Sequence, residues 1–330
     1  MAINNLLEQQ ERHSGWVVTE KLTFLYTGFT TLLIFLFWDQ LNAPTDLLGI
    51  RALIISGIGL TNVLYHYWPS RATLFLRQFY PMTLLGTWYP DTYEFCQLFP
   101  YQDHLFAAAD ATLFGCQPSL VFSELLPQKI WSELFHMGYF AYFPMIILTV
   151  FASLATKPCQ FAKTSFVVLG SFFLYYLIYL FLPVGGPQCY FHAVGVENIQ
   201  QGIFPEIGDW FRTHTEMMAL PGPDGFFRDM VQMAHEAGER PTAAFPSSHV
   251  GISTILMFLL YKNNRKLLWY VLPFYVFLCG ATVYIHAHYL VDVFGGFATA
   301  VLFFWMTNKA FPYFIKNSPE TIPFKQQSIN

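Results

Sequence analysis

Charge is what this sequence has least of. Asp, Glu, Lys and Arg make up 12% of its 330 residues, half the roughly 25% of an average soluble domain. So few charges cannot cover a water-facing globular surface. They also leave no clustered basic face of the kind that binds nucleic acid, so no nucleic-acid partner is expected. Cysteine is sparse too. Cys96, Cys116, Cys159, Cys189 and Cys279 are scattered with no C-x-x-C pair, which speaks against a disulfide framework or a zinc site. Only Cys116 and Cys189 fall where a pair is conceivable. There is no internal repeat and no low-complexity tract. The opening stretch, MAINNLLEQQERHSGWVVTEK, is polar and lacks a signal-peptide pattern, so the first apolar run is expected to stay as a span.

What fills the chain is apolar. Hydrophobic residues reach 54%, and 36 of the residues are Phe. A membrane-crossing helix needs about 20 mostly apolar residues, and eight runs qualify as candidates: Leu22–Trp38, Ala52–Trp68, Ala72–Tyr89, Trp131–Leu154, Thr164–Pro183, Ser248–Tyr261, Leu267–Ile285 and Tyr289–Phe311. The third carries Arg77 and Pro81, which predicts a kink or a later start. The sixth is short unless its polar mouth belongs to the span. The expected fold is an all-α, polytopic transmembrane bundle of about eight spans.

Lys and Arg favour cytoplasmic loops. With the N-terminus inside, 12 of the 17 basic residues fall inside, among them Lys157, Lys262, Arg265, Lys266 and Lys325. Both termini are then expected to be cytoplasmic. Two long segments, Pro90–Ile130 and Val184–Ser247, lie on the opposite face, which is the periplasm, the exterior or a lumen. The organisation expected is N-terminal spans with an outer segment over 1–130, a catalytic membrane core over 131–311 and a cytoplasmic tail over 312–330.

Ionisable residues at membrane depth are functional candidates. His66 and His136 sit singly in spans and read as interhelical hydrogen-bonding groups. His13, His104, His192, His214 and His235 read as loop residues. His249 differs. It opens the sixth span behind Ser247 and Ser248, natural helix N-caps. Free amides and the helix dipole at such a start attract anions, so the mouth of this span reads as a phosphate site. The chain then crosses, turns at KNNRK and returns through the seventh span to YIHAHYLVD, Tyr284–Asp292. That brings His286 and His288 back to the same face. Asp292 follows His288 by four residues, the spacing that puts both on one helix face, where a carboxylate orients an imidazole for nucleophilic or base work.

AAFPSSH, followed about 40 residues later by HYLVD, resembles the second and third motifs of the type 2 phosphatidic acid phosphatase superfamily. FLPVGGP (Phe181–Pro187), DATLFG (Asp110–Gly115) and TVYIHAHYLVDVFGG (Thr282–Gly296) resemble its inositol-phosphotransferase-like branch, which includes inositol phosphorylceramide synthase. The resemblance implies a six-helix catalytic core, no cofactor and no metal. It makes His288 the nucleophile, Asp292 its orienting group and His249 the general acid, with Ser247 and Ser248 cradling the phosphoryl oxygens. The superfamily's first motif, a lysine separated by six residues from Arg-Pro, is absent. The only Arg-Pro is Arg240–Pro241, with Met233 at the lysine position, and Ala281–Thr282 replaces the usual Ser-Arg of the third motif. Arg240 and His286 are the candidates for the missing charge.

The expected activity is that of an integral-membrane lipid phosphatase working through a phosphohistidine at the non-cytoplasmic face. Its partners would be the bilayer and a lipid phosphate or phospholipid substrate. The alternative is a phosphotransferase that passes a phosphoryl headgroup, such as inositol phosphate, to a lipid hydroxyl such as that of ceramide. Further alternatives are a metal enzyme using His249, His286, His288 and Asp292, and a transporter. The two-residue spacing of His286 and His288 argues against the metal set on a helix. The position of the polar residues at one face argues against a mid-bilayer transport site.

Overall fold

A computed structural model describes residues 7–9, 11–154 and 158–321. Lys157, Lys325 and the end of the expected tail lie outside them, as does the side chain of Cys159. The described chain is all-helical, as its composition implies. It runs through α1 (Val18–Leu36), α2 (Pro44–Tyr67), α3 (Arg71–Thr83), α4 (Leu85–Cys96), α5 (Asp103–Phe114), α6 (Pro118–Leu125), α7 (Lys129–Phe140) and α8 (Tyr142–Leu154). It continues through α9 (Pro158–Phe181), α10 (Pro187–Val194), α11 (Val196–Gln200), α12 (Phe226–Gly238), α13 (Ser248–Asn263), α14 (Arg265–Tyr284) and α15 (Leu290–Phe314).

Among the described residues, four helical stretches are long and apolar enough to cross a membrane: α2, residues Gln160–Phe181 of α9, α14 and α15. The count is six if the bent pairs α5–α6 and α7–α8 each make one span. The eight runs read from hydropathy differ from this in instructive ways. The third run breaks at Leu84, between α3 and α4, with Pro81 inside α3. The sixth becomes α13, which has only 16 residues.

The chain divides into two compact units. The first comprises 1–88, 150–173 and 304–330. Its polar interior is organised around two buried glutamates, Glu20 and Glu320. Arg77 and Glu20 form a buried ion pair at 2.7 Å, with 2% and 0% side-chain exposure. Glu20 also accepts from Asn62 at 2.8 Å and from the Val17 amide at 2.9 Å. Glu320 accepts from Gln78 at 2.6 Å and from the Val18 amide at 3.0 Å. Around this network pack aromatic residues, including a Tyr26–Phe173 stack at 4.2 Å.

The second unit comprises 89–149 and 174–303. Its central hairpin is α13–α14, joined by Asn264 alone, within the expected KNNRK turn. The Asn264 side chain caps α14 through the Leu267 amide at 3.1 Å, and Ser247 caps α13 through the Val250 amide at 3.3 Å. Helix α7 lies against α14 closely enough that a Cβ at Gly138 would meet the Phe277 carbonyl carbon at 2.6 Å. Glu133 of α7 accepts the Phe227 and Arg228 amides at 3.1 and 3.2 Å, tying the start of α12 to α7. Cys116 and Cys189 are both free thiols.

Candidate active site

The residues singled out in PSSH and HYLVD meet in the second unit. Ser247 starts α13, and its amide donates to the Asp292 carbonyl at 3.1 Å. That bond joins the two motif segments directly. Gly296, one turn beyond Asp292, allows the approach, since a Cβ there would meet the Ser247 carbonyl oxygen at 2.7 Å. The rings of His249 and His288 lie 5.7 Å apart at 66°.

His288 is 3% exposed. Its Nδ1 is 2.7 Å from the Ala244 carbonyl and 3.5 Å from Asp292 Oδ2. A carbonyl can only accept, so Nδ1 carries the proton and Nε2 keeps a lone pair. The backbone carbonyl is thus the nearer partner. Asp292 lies behind the ring and accepts the Tyr289 amide at 2.9 Å. Burial pushes His288 down to about 4, opposed by its bond to Ala244. The imidazole is therefore neutral above that pH, as a nucleophile must be.

His249 is held between two aromatic faces. Tyr139 stacks on it at 4.6 Å and 26°, and Tyr142 tilts over it at 4.4 Å and 45°. Beside it, the Tyr179 hydroxyl donates to the Pro246 carbonyl at 2.8 Å and accepts the Ser248 amide at 3.1 Å. Ser247 is fully buried. Its oxygen accepts the Val250 amide, and its hydroxyl proton remains available to donate.

The two charge candidates are placed differently. Arg240 is exposed, and its guanidinium donates to the Glu239 carbonyl at 3.1 Å. Among the described residues no hydrogen bond or ion pair links it to His249 or His288. His286 sits in the left-handed region at φ 66° and is 4% exposed. Burial pushes its ring down to about 4, and its hydrogen bond is to the backbone of Ser119. Its carbonyl accepts the Gln188 amide at 2.8 Å. His286 thus joins the loops around the site, with its ring turned to α6. Among the described residues, no three His, Cys, Asp or Glu side chains are grouped to hold a metal ion.

Sequence reasoning missed two buried carboxylates, Asp103 and Asp110. Asp103 accepts the Gly185 and Gly186 amides, each at 2.8 Å, and the Tyr289 hydroxyl at 3.0 Å. Asp110 accepts the Leu290 and Val291 amides at 2.8 and 3.0 Å, capping the start of α15. The signal was available, since two acids seven apart on the apolar stretch DHLFAAADATLF occupy one helix face. Tyr139, Tyr142, Tyr179 and the Ala244 carbonyl carry no such sequence mark.

Several apolar helices and a half-buried imidazole facing a buried one describe a membrane protein with a candidate phosphoryl-transfer centre. The chain belongs to the PAP2 superfamily, whose family model matches residues 103–306, more than half of the sequence. No curated protein and no solved structure matches it. Membership supports a phosphatase-type activity on lipid phosphates, in a superfamily that is typically phosphatase or phosphotransferase.

Proposed function

We propose that this protein is a lipid phosphatase that works through a phosphohistidine at the non-cytoplasmic face of its membrane. The observation that carries the reading is the His288 ring, with Nδ1 bound to the Ala244 carbonyl and the neighbouring His249 ring 5.7 Å away. The Nε2 lone pair of His288 attacks phosphorus in line. The N–P bond forms as the bond to the leaving oxygen breaks, and that oxygen takes a proton from His249. The positive charge that develops on His288 is met by the Ala244 carbonyl and Asp292. His249 then removes a proton from water, the new O–P bond forms, and N–P cleavage returns His288 to its starting state while releasing inorganic phosphate. The Ser247 and Ser248 hydroxyls and the His249 amide hold the phosphoryl oxygens. The face assignment rests on the basic cluster Lys262, Arg265 and Lys266 at the other end of α13 and the start of α14.

One observation favours a second reading, transfer of a phosphoryl headgroup to a lipid hydroxyl of the ceramide or diacylglycerol type. His288 is almost sealed and His249 is flanked by tyrosine rings, and a transferase must keep water from its intermediate. Product analysis decides between them. Purified protein given a lipid phosphate should release inorganic phosphate steadily with no acceptor present. Absence of release without acceptor, with a new phosphodiester when ceramide or diacylglycerol is added, would establish the transferase instead.

A further inference from the structure

We propose that Asp103 and Asp110 form a clamp that positions the catalytic histidine, Asp103 by fixing the His288 tautomer and Asp110 by fixing the helix start that carries Asp292. The proposal rests on the reading of His288 as nucleophile. Neither acid contacts His288. Each acts through backbone.

Helix α5 presents the two carboxylates on one face, seven residues and about two turns apart. Both are buried, at 1% and 0% exposure. Asp103 takes two successive amides, Gly185 and Gly186, one on each oxygen, and so orients that peptide segment in two directions at once. Gly186 is in the left-handed region at φ 87°, and a Cβ there would meet the Ala287 carbonyl oxygen at 2.6 Å. The Gly-Gly turn is therefore pressed against the backbone next to His288. One residue earlier, the Val184 carbonyl accepts the Ala244 amide at 2.9 Å. Ala244 in turn offers the carbonyl that holds His288 Nδ1 at 2.7 Å. The path runs from Asp103 through Gly185 and Val184 to Ala244 and then to the imidazole. The third bond to Asp103, from the Tyr289 hydroxyl at 3.0 Å, fixes the residue that follows His288.

Asp110 repeats the device on the other side of the histidine. It accepts the first two amides of α15, those of Leu290 and Val291. Asp292 is the next residue, and its carboxylate lies 3.5 Å from His288 Nδ1. A carboxylate suits both places because only it accepts on two oxygens. An asparagine of the same shape offers one acceptor and turns an N–H toward an amide N–H.

The test reads the tautomer directly. Protein labelled with 15N-histidine, in detergent and without substrate, gives a His288 signal identified by its loss in His288→Ala. The wild type is expected to show a proton on Nδ1 and none on Nε2. Asp103→Asn is expected to raise the Nε2–H form. It should also lower kcat for dioctanoyl phosphatidic acid by about 10- to 100-fold, the scale seen when supporting hydrogen bonds behind a ligand are lost, while KM moves less than about twofold. Asp110→Asn should lower kcat with the same KM behaviour. Tyr289→Phe removes one of the three bonds to Asp103 and should shift the tautomer in the same direction by less. It decides the matter if Asp103→Asn does not fold. An unchanged His288 tautomer in a folded Asp103→Asn, or in Tyr289→Phe in its place, overturns the proposal. So does an Asp110→Asn protein with wild-type kcat. Turnover that survives His288→Ala is a different outcome and removes the nucleophile reading itself, independently of the tautomer result.

Discussion

Both units of this protein bury acids and bases, and they pair them differently. In the first unit each buried glutamate meets a side-chain partner as well as one backbone amide. Arg77 meets Glu20, Asn62 joins them, and Gln78 meets Glu320. In the second, Asp103 and Asp110 take four backbone amides between them, His288 binds a carbonyl, and Asp292 Oδ1 and His286 Nδ1 have no hydrogen-bond partner. Side-chain pairing of this kind fixes structure, since removing one partner strands the other. Carboxylates that grip backbone hold loops at chosen angles and leave imidazole nitrogens uncommitted, as chemistry requires. Buried polarity alone therefore does not mark a site. Its partners do.

The sharpest way to break this contrast is His288→Ala. Turnover of a lipid phosphate should fall by about 10⁴-fold or to background, on the scale of losing a nucleophile, and phosphohistidine trapped from radiolabelled substrate should vanish. Arg77→Met tests the other unit. It leaves Glu20 buried and unpaired, which should lower stability by about 3–5 kcal/mol, read as a drop in thermal midpoint, while kcat per folded molecule stays near wild type. A large kcat loss there would erase the distinction between the units. Asp292→Asn should lower kcat by about 10- to 100-fold, less than His288→Ala, because the Ala244 carbonyl still holds the ring. The smallest effect is in pH. His288 is pushed down from 6.5 to about 4 in the fold, so it stays neutral at pH 5 and should cause no loss of activity near 6.5. An unfolded histidine takes its proton at the higher pH, so protonation favours the unfolded chain as pH falls from 6.5 toward 4. Stability should decline over that window, and less steeply in His288→Ala.

Much of the site could be read from the sequence because it rests on short spacings. Ser247 before a long apolar run predicts a cap, KNNRK is a turn between two runs, and the four-residue spacing of His288 and Asp292 brings them together, although His288 lies in the turn before α15 and not on the helix. Those features are local, and periodicity carries them. The fold class was legible for a related reason, since apolar runs of about 20 residues call for membrane helices. Span boundaries were less so. Hydropathy passes smoothly through Pro81 and Leu84, where the backbone breaks, and it shortens α13 to a helix that only its neighbours can justify. The partners of His288 were hidden because the Ala244 carbonyl comes from backbone 44 residues away in sequence, and backbone has no sequence signature. Asp103 and Asp110 were visible as acids in an apolar helix. Their targets were not, since amides of Gly185, Gly186, Leu290 and Val291 are chosen only once the chain has folded.

The bond between the Val18 amide and Glu320 has a consequence for counting. It ties the first helix of the described chain to the turn after the last one, at 3.0 Å. With both termini on one face of a bilayer, as the basic residues lead one to expect, a path from residue 18 to residue 320 crosses an even number of times, and both four and six spans meet that parity.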